Sequence, residues 1–176
     1  WLKESQEMIV GDILDDDLIN EAVKNKDAVF HFAGVADIFE SNVNPLNTVE
    51  YNIFGTTKLL DACANEKVSR FIFASSVYVY SDMGGFYRAT KQACELLIEN
   101  YQQIKGLDYT ILRFGSLYGR RANRFNWIHN IIHQALTEGK MDRMGDGEEL
   151  RDYINVSDAA KSCVEILNDQ FKNNYV

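Results

Sequence analysis

Tyr87 and Lys91 lie four residues apart, just after a short Gly-containing loop and an apolar segment that ends in Ser75 and Ser76. On a helix, that spacing places a phenol and an ammonium on one face. A tyrosine ordinarily titrates near ~10, and a cation within a few ångströms lowers that by roughly 1–3 units. A base poised closer to neutrality can take the proton of a sugar or alcohol hydroxyl while a nicotinamide takes the hydride. The pattern therefore points to oxidoreductase-type chemistry, with Tyr87 as the acid/base and Lys91 lowering its proton affinity.

The spacing Tyr-x-x-x-Lys occurs twice, so position must decide between the copies. Tyr101 and Lys105 come just before Gly106, with no serine-ended strand upstream. They read as a solvated helix terminus, where Lys105 suits the carbonyl end of the dipole. Only Tyr87 follows a strand whose carboxyl end carries Ser75 and Ser76. Ligands of open parallel sheets bind outside the carboxyl ends of strands.

The elements that must position these groups alternate along the chain. Met8–Gly11 reads as a short strand, Leu14–Asn25 as a helix with an acidic first turn, and Ala28–Ala33 as a strand covered on both faces. Gly34–Asn44 reads as loop, and Pro45 opens a long helix reaching about Glu66. Strand Arg70–Ala74, helix Tyr87–Ile104, strand Tyr109–Phe114 and helix Phe125–Leu136 follow, the last ending at Gly139. Ser157-Asp158 caps a final helix to about Leu167, and Tyr175-Val176 begins another strand. Such alternation predicts an α/β fold, a doubly wound parallel sheet with helices on both faces.

Composition narrows the function. The 176 residues are 46% hydrophobic, enough for one sizeable core, and carry a net charge of −8. That acidity argues against nucleic acid or an anionic membrane as the partner. No apolar run is long enough to cross a bilayer, so the expectation is a soluble, cytoplasmic protein. Cys63, Cys94 and Cys163 lie in helical patterns without C-x-x-C spacing and read as free thiols. His129 and His133 have metal-ligand spacing, but isoleucines fill the gap and Asn130 stands where a zinc protease needs glutamate; no metal is expected.

Seven motifs in order give the chain a resemblance to the extended short-chain dehydrogenase/reductase family, in its nucleotide-sugar epimerase/dehydratase branch. They are Gly11-Asp12-Ile13, His31-Phe32-Ala33-Gly34, Asn52 to Leu60, the Ser75-Ser76 strand end, Tyr87 to Lys91, Leu112 to Gly119 and Gly145 to Tyr153. The resemblance implies a Rossmann-type NAD(P)-binding domain over 1–176, with 115–156 contributing to the substrate side. It implies Ser76, Tyr87 and Lys91 as the catalytic residues, Ser76 binding the reacting oxygen and Lys91 also holding the nicotinamide ribose. On the cofactor side it places Asp12 and Ile13 at the adenine, and Phe32, Ala33 and Gly34 at a closely approached strand end. Phe114 would face the nicotinamide, and Asn52 is a structural or water-organising group there rather than a direct ligand. Ser116, Arg121 and Arg151 would meet substrate with Ser76, Arg151 gripping a diphosphate through its planar guanidinium; Arg120 and Arg124 add charge nearby. The alternative roles are a strand-ending turn for Ser76, a helix cap for Asp12 and an ordinary surface for the arginines.

Several departures qualify the resemblance. The family's first strands, its glycine-rich phosphate turn and most of its C-terminal substrate lobe have no counterpart, so the sequence reads as a fragment that would bind dinucleotide poorly alone. The residue that selects NAD over NADP is among the missing parts, so NAD is expected with NADP open. The loop from Tyr80 to Tyr87 is short and lacks prolines, and Ser116 stands where many epimerases have asparagine. Sugar 4,6-dehydratases follow the catalytic threonine with Asp-Glu; here Val77-Tyr78 follows Ser76, which disfavours dehydration. The expectation is an NAD-dependent epimerase of a nucleotide sugar. Alternatives are an NAD(P)-dependent sugar or alcohol reductase, and a non-catalytic dinucleotide-binding regulator. Family members commonly pair through two long helices, which here hold Asn52 and Tyr87; their apolar outer faces are compatible with a homodimer and do not establish one.

Overall fold

Short polar side chains decide where the helices begin. Asp15 accepts from the backbone N–H groups of Asp17 and Leu18 and starts α1 (Asp16–Val23), whose first turn is acidic. Asp37 accepts from Glu40 N–H and starts α2 (Ile38–Val43). Pro45 opens α3 (Pro45–Val49), which runs through a π-helical turn (Glu50–Phe54) into α4 (Gly55–Asn65). α5 (Gly85–Lys105) ends at Gly106 in the left-handed region (φ 73). Asn126 caps α6 (Trp127–Glu138) and Asn155 caps α7 (Val156–Glu165). This computed structural model describes residues 3, 5–122, 126–142, 147–148 and 150–176.

The chain forms two compact units, Trp1–Arg113 with Asp169–Val176, and Phe114–Asn168. In the first, β1 (Ala28–His31), β2 (Arg70–Ser76), β3 (Tyr109–Phe114) and β6 (Asn174–Tyr175) form a sheet in that order. β1 pairs parallel with β2, His31 opposite Phe73, and β3 pairs parallel with β6, Ile111 opposite Tyr175. The architecture is thus the α/β class with a parallel sheet that the alternation predicted. Ile19 and Val23 of α1, Leu60 and Cys63 of α4, and Cys94 and Ile98 of α5 pack on Phe71, Phe73 and Ile111 of the sheet. Burying each such aliphatic or aromatic side chain contributes roughly 1.5–3 kcal/mol. In the second unit, β4 (Ser116–Tyr118) pairs parallel with β5 (Tyr153–Asn155), and Trp127 of α6 stacks on Tyr153.

Some expectations are corrected. Met8-Ile9-Val10 joins no ladder among the described residues, and Met8 and Val10 are 66% and 81% exposed. A strand exists only through a neighbour, and β1 occupies that edge of the sheet. The strand expected over Ala28–Ala33 stops at His31, and the loop expected from Gly34 contains α2. Asn155, not Ser157, caps the last helix; its side chain accepts from Ser157 N–H. The helix expected from Phe125 begins at Trp127, Phe125 lying outside the described residues. Cys63 and Cys94 are buried free thiols, and burial pushes Cys63 up to about 12. Among the described residues, no helix is long and apolar enough to cross a membrane.

Candidate active site

The carboxyl end of β2 and the first turns of α5 meet in the first unit. β2 carries its pairing as far as Ser76, whose Oγ accepts from Tyr78 N–H at 3.3 Å and caps a 3-10 turn, Val77–Tyr80. The strand-ending turn and the proposed reacting hydroxyl are therefore the same group. The chain returns through Gly84, whose φ of 96 admits glycine most easily, and enters α5 with Tyr87 as the third helical residue.

Tyr87 and Lys91 then fall on the strand tip. The Tyr87 phenol lies beside Ser76, near enough for the serine hydroxyl to favour its ionised form, and its ring stands edge-on to Tyr78 with centroids 6.4 Å apart. Lys91, 7% exposed, donates to the Ala74 carbonyl at 2.8 Å. Its ammonium lies 4.6 Å from the Phe73 ring centroid and 5.7 Å from that of Tyr87. The three groups expected to act together are brought together, and the Tyr87 ring is half-buried rather than sealed.

The electrostatics differ from the expectation. Burial pushes the Tyr87 phenol up, the neighbouring Ser76 hydroxyl works against it, and Tyr78 adds to the rise. Lys91 does not bring the phenol down. Burial lowers Lys91 itself to about 8, with Cys94 and Glu95 pulling the other way, and its ammonium donates to the Ala74 carbonyl. The physical reason is desolvation: both groups enter the low-dielectric seam between strand and helix, which disfavours either charge.

On the neighbouring strand end, Asn52 acts as a clamp. Its Oδ1 accepts from Val35 N–H at 2.7 Å, and its Nδ2 donates to Val35 O and to Thr90 Oγ1, both at 3.0 Å. Both amide hydrogens are used, so Asn52 holds the loop after β1 instead of offering a donor to a cofactor. Gly34 sits against it with φ 142, and a Cβ there would meet Asn52 Oδ1 at 2.6 Å. Gly34→Ala should therefore cost about 1–3 kcal/mol, read as a lowered urea midpoint; an unchanged midpoint would contradict the clamp. Phe32, Ala33 and Gly34 are exposed, and Phe32 stacks on Phe30 at 6.4 Å.

Asp12 is exposed; its Oδ1 accepts from Leu14 N–H and its Oδ2 from the Tyr51 hydroxyl at 3.0 Å. It forms a turn ahead of α1 but does not cap it, since Asp15 does. Ile13 packs on the core and against Gly55. Together these groups fit a dinucleotide by their chemistry: an exposed carboxylate, a strand end without bulk at Ala33 and Gly34, and a buried ammonium.

The second unit holds the expected substrate residues. Phe114 is half-buried; Ser116 N–H donates to Asp152 O at 2.7 Å, fixing the start of β4. Arg121 has a left-handed backbone (φ 68) and, with Arg120, Tyr118, Asn126 and Val156, lines a depression of about 230 Å³. Arg151 is exposed ahead of β5, while Arg124 and parts of the motif from Gly145, namely 145–146 and 149, lie outside the described residues. Reading the sequence passed over Glu95 and Arg113, which reinforce the strand tip. The signal was the series Tyr87, Lys91, Glu95, each four residues from the last.

The model of the "NAD dependent epimerase/dehydratase family" matches residues 1–175. An "uncharacterized UDP-glucose epimerase YtcB" of Bacillus subtilis is 30% identical over 154 residues, covering 80% of this chain and 49% of the relative. A dTDP-glucose 4,6-dehydratase of an Actinoplanes species is 32% identical over 170 residues, covering 89% of this chain and 53% of its own length. Among solved structures, the UDP-N-acetylglucosamine 4-epimerase of Methanobrevibacter ruminantium M1, in complex with UDP-N-acetylmuramic acid, superposes with a TM-score of 0.84. It is 31% identical and covers 96% of this chain and 59% of that one. The chain thus spans about half the length of the curated relatives it matches.

Proposed function

Because this chain belongs to the NAD dependent epimerase/dehydratase family, we propose that it carries the acid/base half of a nucleotide-sugar 4-epimerase working with NAD. The observation behind this reading is the meeting of Tyr87 and Ser76 at the tip of β2, with Lys91 anchored two residues back on the Ala74 carbonyl. NAD, when bound, supplies an acceptor that takes the sugar's hydride and gives it back. Asp12, Ala33, Gly34 and Lys91 are the residues that would hold it.

Tyr87 reacts as the phenolate, its own proton having gone to solvent: Oη takes the proton of the sugar 4-hydroxyl as hydride leaves C4, and gives that proton back to the same oxygen when hydride returns on the other face. Burial disfavours the phenolate at rest but makes it a strong base, and the neighbouring Ser76 hydroxyl favours it. Ser76 also fixes the orientation of the reacting hydroxyl, being held in turn by Tyr78 N–H. Arg121 and Arg151, both exposed, are assigned to the substrate diphosphate on the charge chemistry of guanidinium.

Epimerisation is favoured over dehydration by the residues after Ser76. Val77 and Tyr78 form the 3-10 turn and offer no carboxyl group for removal of water. The test uses the full-length protein with UDP-sugars, following epimers by proton NMR and NADH by absorbance. Interconversion of 4-epimers without net NADH change is expected. Stoichiometric turnover of added NADH, or loss of water from the sugar, would replace this reading by a reductase or a dehydratase.

A further inference from the structure

Three consecutive residues of β2 each meet one residue of a single stripe on α5. Ser76 meets Tyr87, the Ala74 carbonyl meets Lys91, and the Ser75 hydroxyl donates to Glu95 Oε1 at 2.5 Å. The last contact belongs to a larger buried group. Glu95, 5% exposed, takes Arg113 Nε at 3.0 Å and Nη2 at 2.6 Å in a two-pronged pair. The Arg113 guanidinium lies between two rings, 4.5 Å from the centroid of Tyr80 and 4.0 Å from that of Tyr175. Its Nη1 also donates to the Tyr80 hydroxyl. One ion pair thereby joins α5, β2, β3, β6 and the 3-10 turn beyond Ser76.

We propose that Glu95, held by Arg113 one helical turn beyond Lys91, is a positioning residue whose charge holds the Lys91 ammonium beside Tyr87 and Ser76. The inference rests on the reading of those three groups as the reacting centre. Stability alone is a poor reason for the pair, since a buried ion pair often contributes less than apolar side chains of the same size. Its surroundings give it a further role. Lys91 faces His31 from β1, Tyr87, Cys94 and Glu95 from its own helix, and, through Glu95, Arg113 from β3. Burial holds His31 neutral, and pushes Tyr87 and Cys94 toward their protonated, uncharged forms. Glu95 is then the negative charge in that set, and it offsets part of the desolvation of Lys91.

The sign of the effect separates this role from simple bracing. Neutralising Glu95 in place removes part of what opposes burial, so Lys91 binds its proton more weakly. Loosening the packing instead hydrates Lys91, which then binds its proton more tightly. Glu95→Gln keeps the shape and can still bond Ser75 and Arg113. The experiment follows the Lys91 resonance by NMR in the full-length protein carrying isotope-labelled lysine, assigned by its loss in Lys91→Arg.

Proton affinity about tenfold weaker at Lys91 is expected in Glu95→Gln, with the affinity retained in Glu95→Asp. If Glu95→Gln does not fold, Glu95→Gln/Arg113→Gln removes both charges together, and Lys91 again loses affinity. An unchanged or stronger affinity in whichever variant folds overturns the proposal. This readout does not depend on catalysis: full activity of Tyr87→Phe would overturn the functional reading and leave the Lys91 titration standing.

Discussion

Tyr87→Phe in the full-length enzyme is expected to lower kcat by roughly 10²–10⁴-fold while changing substrate KM only a few-fold. The substitution removes one oxygen and little else. The ring keeps its edge-on contact with Tyr78 at 6.4 Å, and Lys91 keeps its bond to the Ala74 carbonyl. Ser76 loses the phenol as a partner but retains Tyr78 N–H, so the loss of stability should be only about 1 kcal/mol. Initial rates over a substrate range, set beside thermal unfolding of the same samples, separate the two effects. A kcat near wild type would remove Tyr87 from proton transfer. A fall in rate that merely tracks unfolding would move it from chemistry to packing.

The second large effect concerns His31, which takes no part in the proposed reaction. It is 3% exposed on β1, its Nε2 lies 2.8 Å from Thr56 Oγ1, and Phe71 and Phe73 flank its ring. Burial lowers it to about 3, and the nearby Lys91 charge adds to the fall. Between that value and its ordinary 6.5 the unfolded chain binds a proton that the folded chain refuses. The contribution is therefore fully present above 6.5 and drains away as the pH falls toward 3. The full difference corresponds to about 5 kcal/mol, of which about 3 kcal/mol is lost by about pH 4. Urea unfolding at about pH 7 and about pH 4 measures it. His31→Gln, neutral throughout and able to bond Thr56, should lose less stability over that interval by about 3 kcal/mol. Equal slopes for the two proteins would refute the assignment.

The parts of this fold that were legible from residues are those whose signal is local. The apolar run of β2, the helical stripe of α5 ending at Gly106, and Pro45 as a helix opener all appear where the pattern put them. β4 and β5 are three residues each and exist only because Ser116–Tyr118 finds Tyr153–Asn155 far along the chain, which no local pattern announces. α2 is too short for periodicity, and its start depends on one Asp37 contact. At the candidate site, the grouping of Ser76, Tyr87 and Lys91 was readable because spacing and strand order determine it. Their charge states were not. Proton affinity depends on how deeply the seam is desolvated and on Glu95 and Arg113, which come from different elements. Asn52 was readable as structural, but its clamp on Val35 required the loop's path.

The wide turn at Glu50–Phe54 has a consequence for how this chain can vary. Gly55 N–H reaches back five residues to the Glu50 carbonyl, so one additional residue is accommodated where an α-helix would have none. Upstream Thr48 and downstream Thr56, Leu60 and Cys63 are all buried, and the Asn52 carbonyl takes the Thr56 hydroxyl and the Cys94 thiol. Deleting one residue within Glu50–Phe54 would restore regular winding and leave the flanking segments near their present phase, whereas deleting one from the regular turns of α4 would swing everything beyond it by about 100°. Side-chain exchanges in α4 alter contacts one at a time, whereas a change of its length turns the inward face beyond that point toward water. Here the residue count is set by angular phase, not by the distance to be bridged.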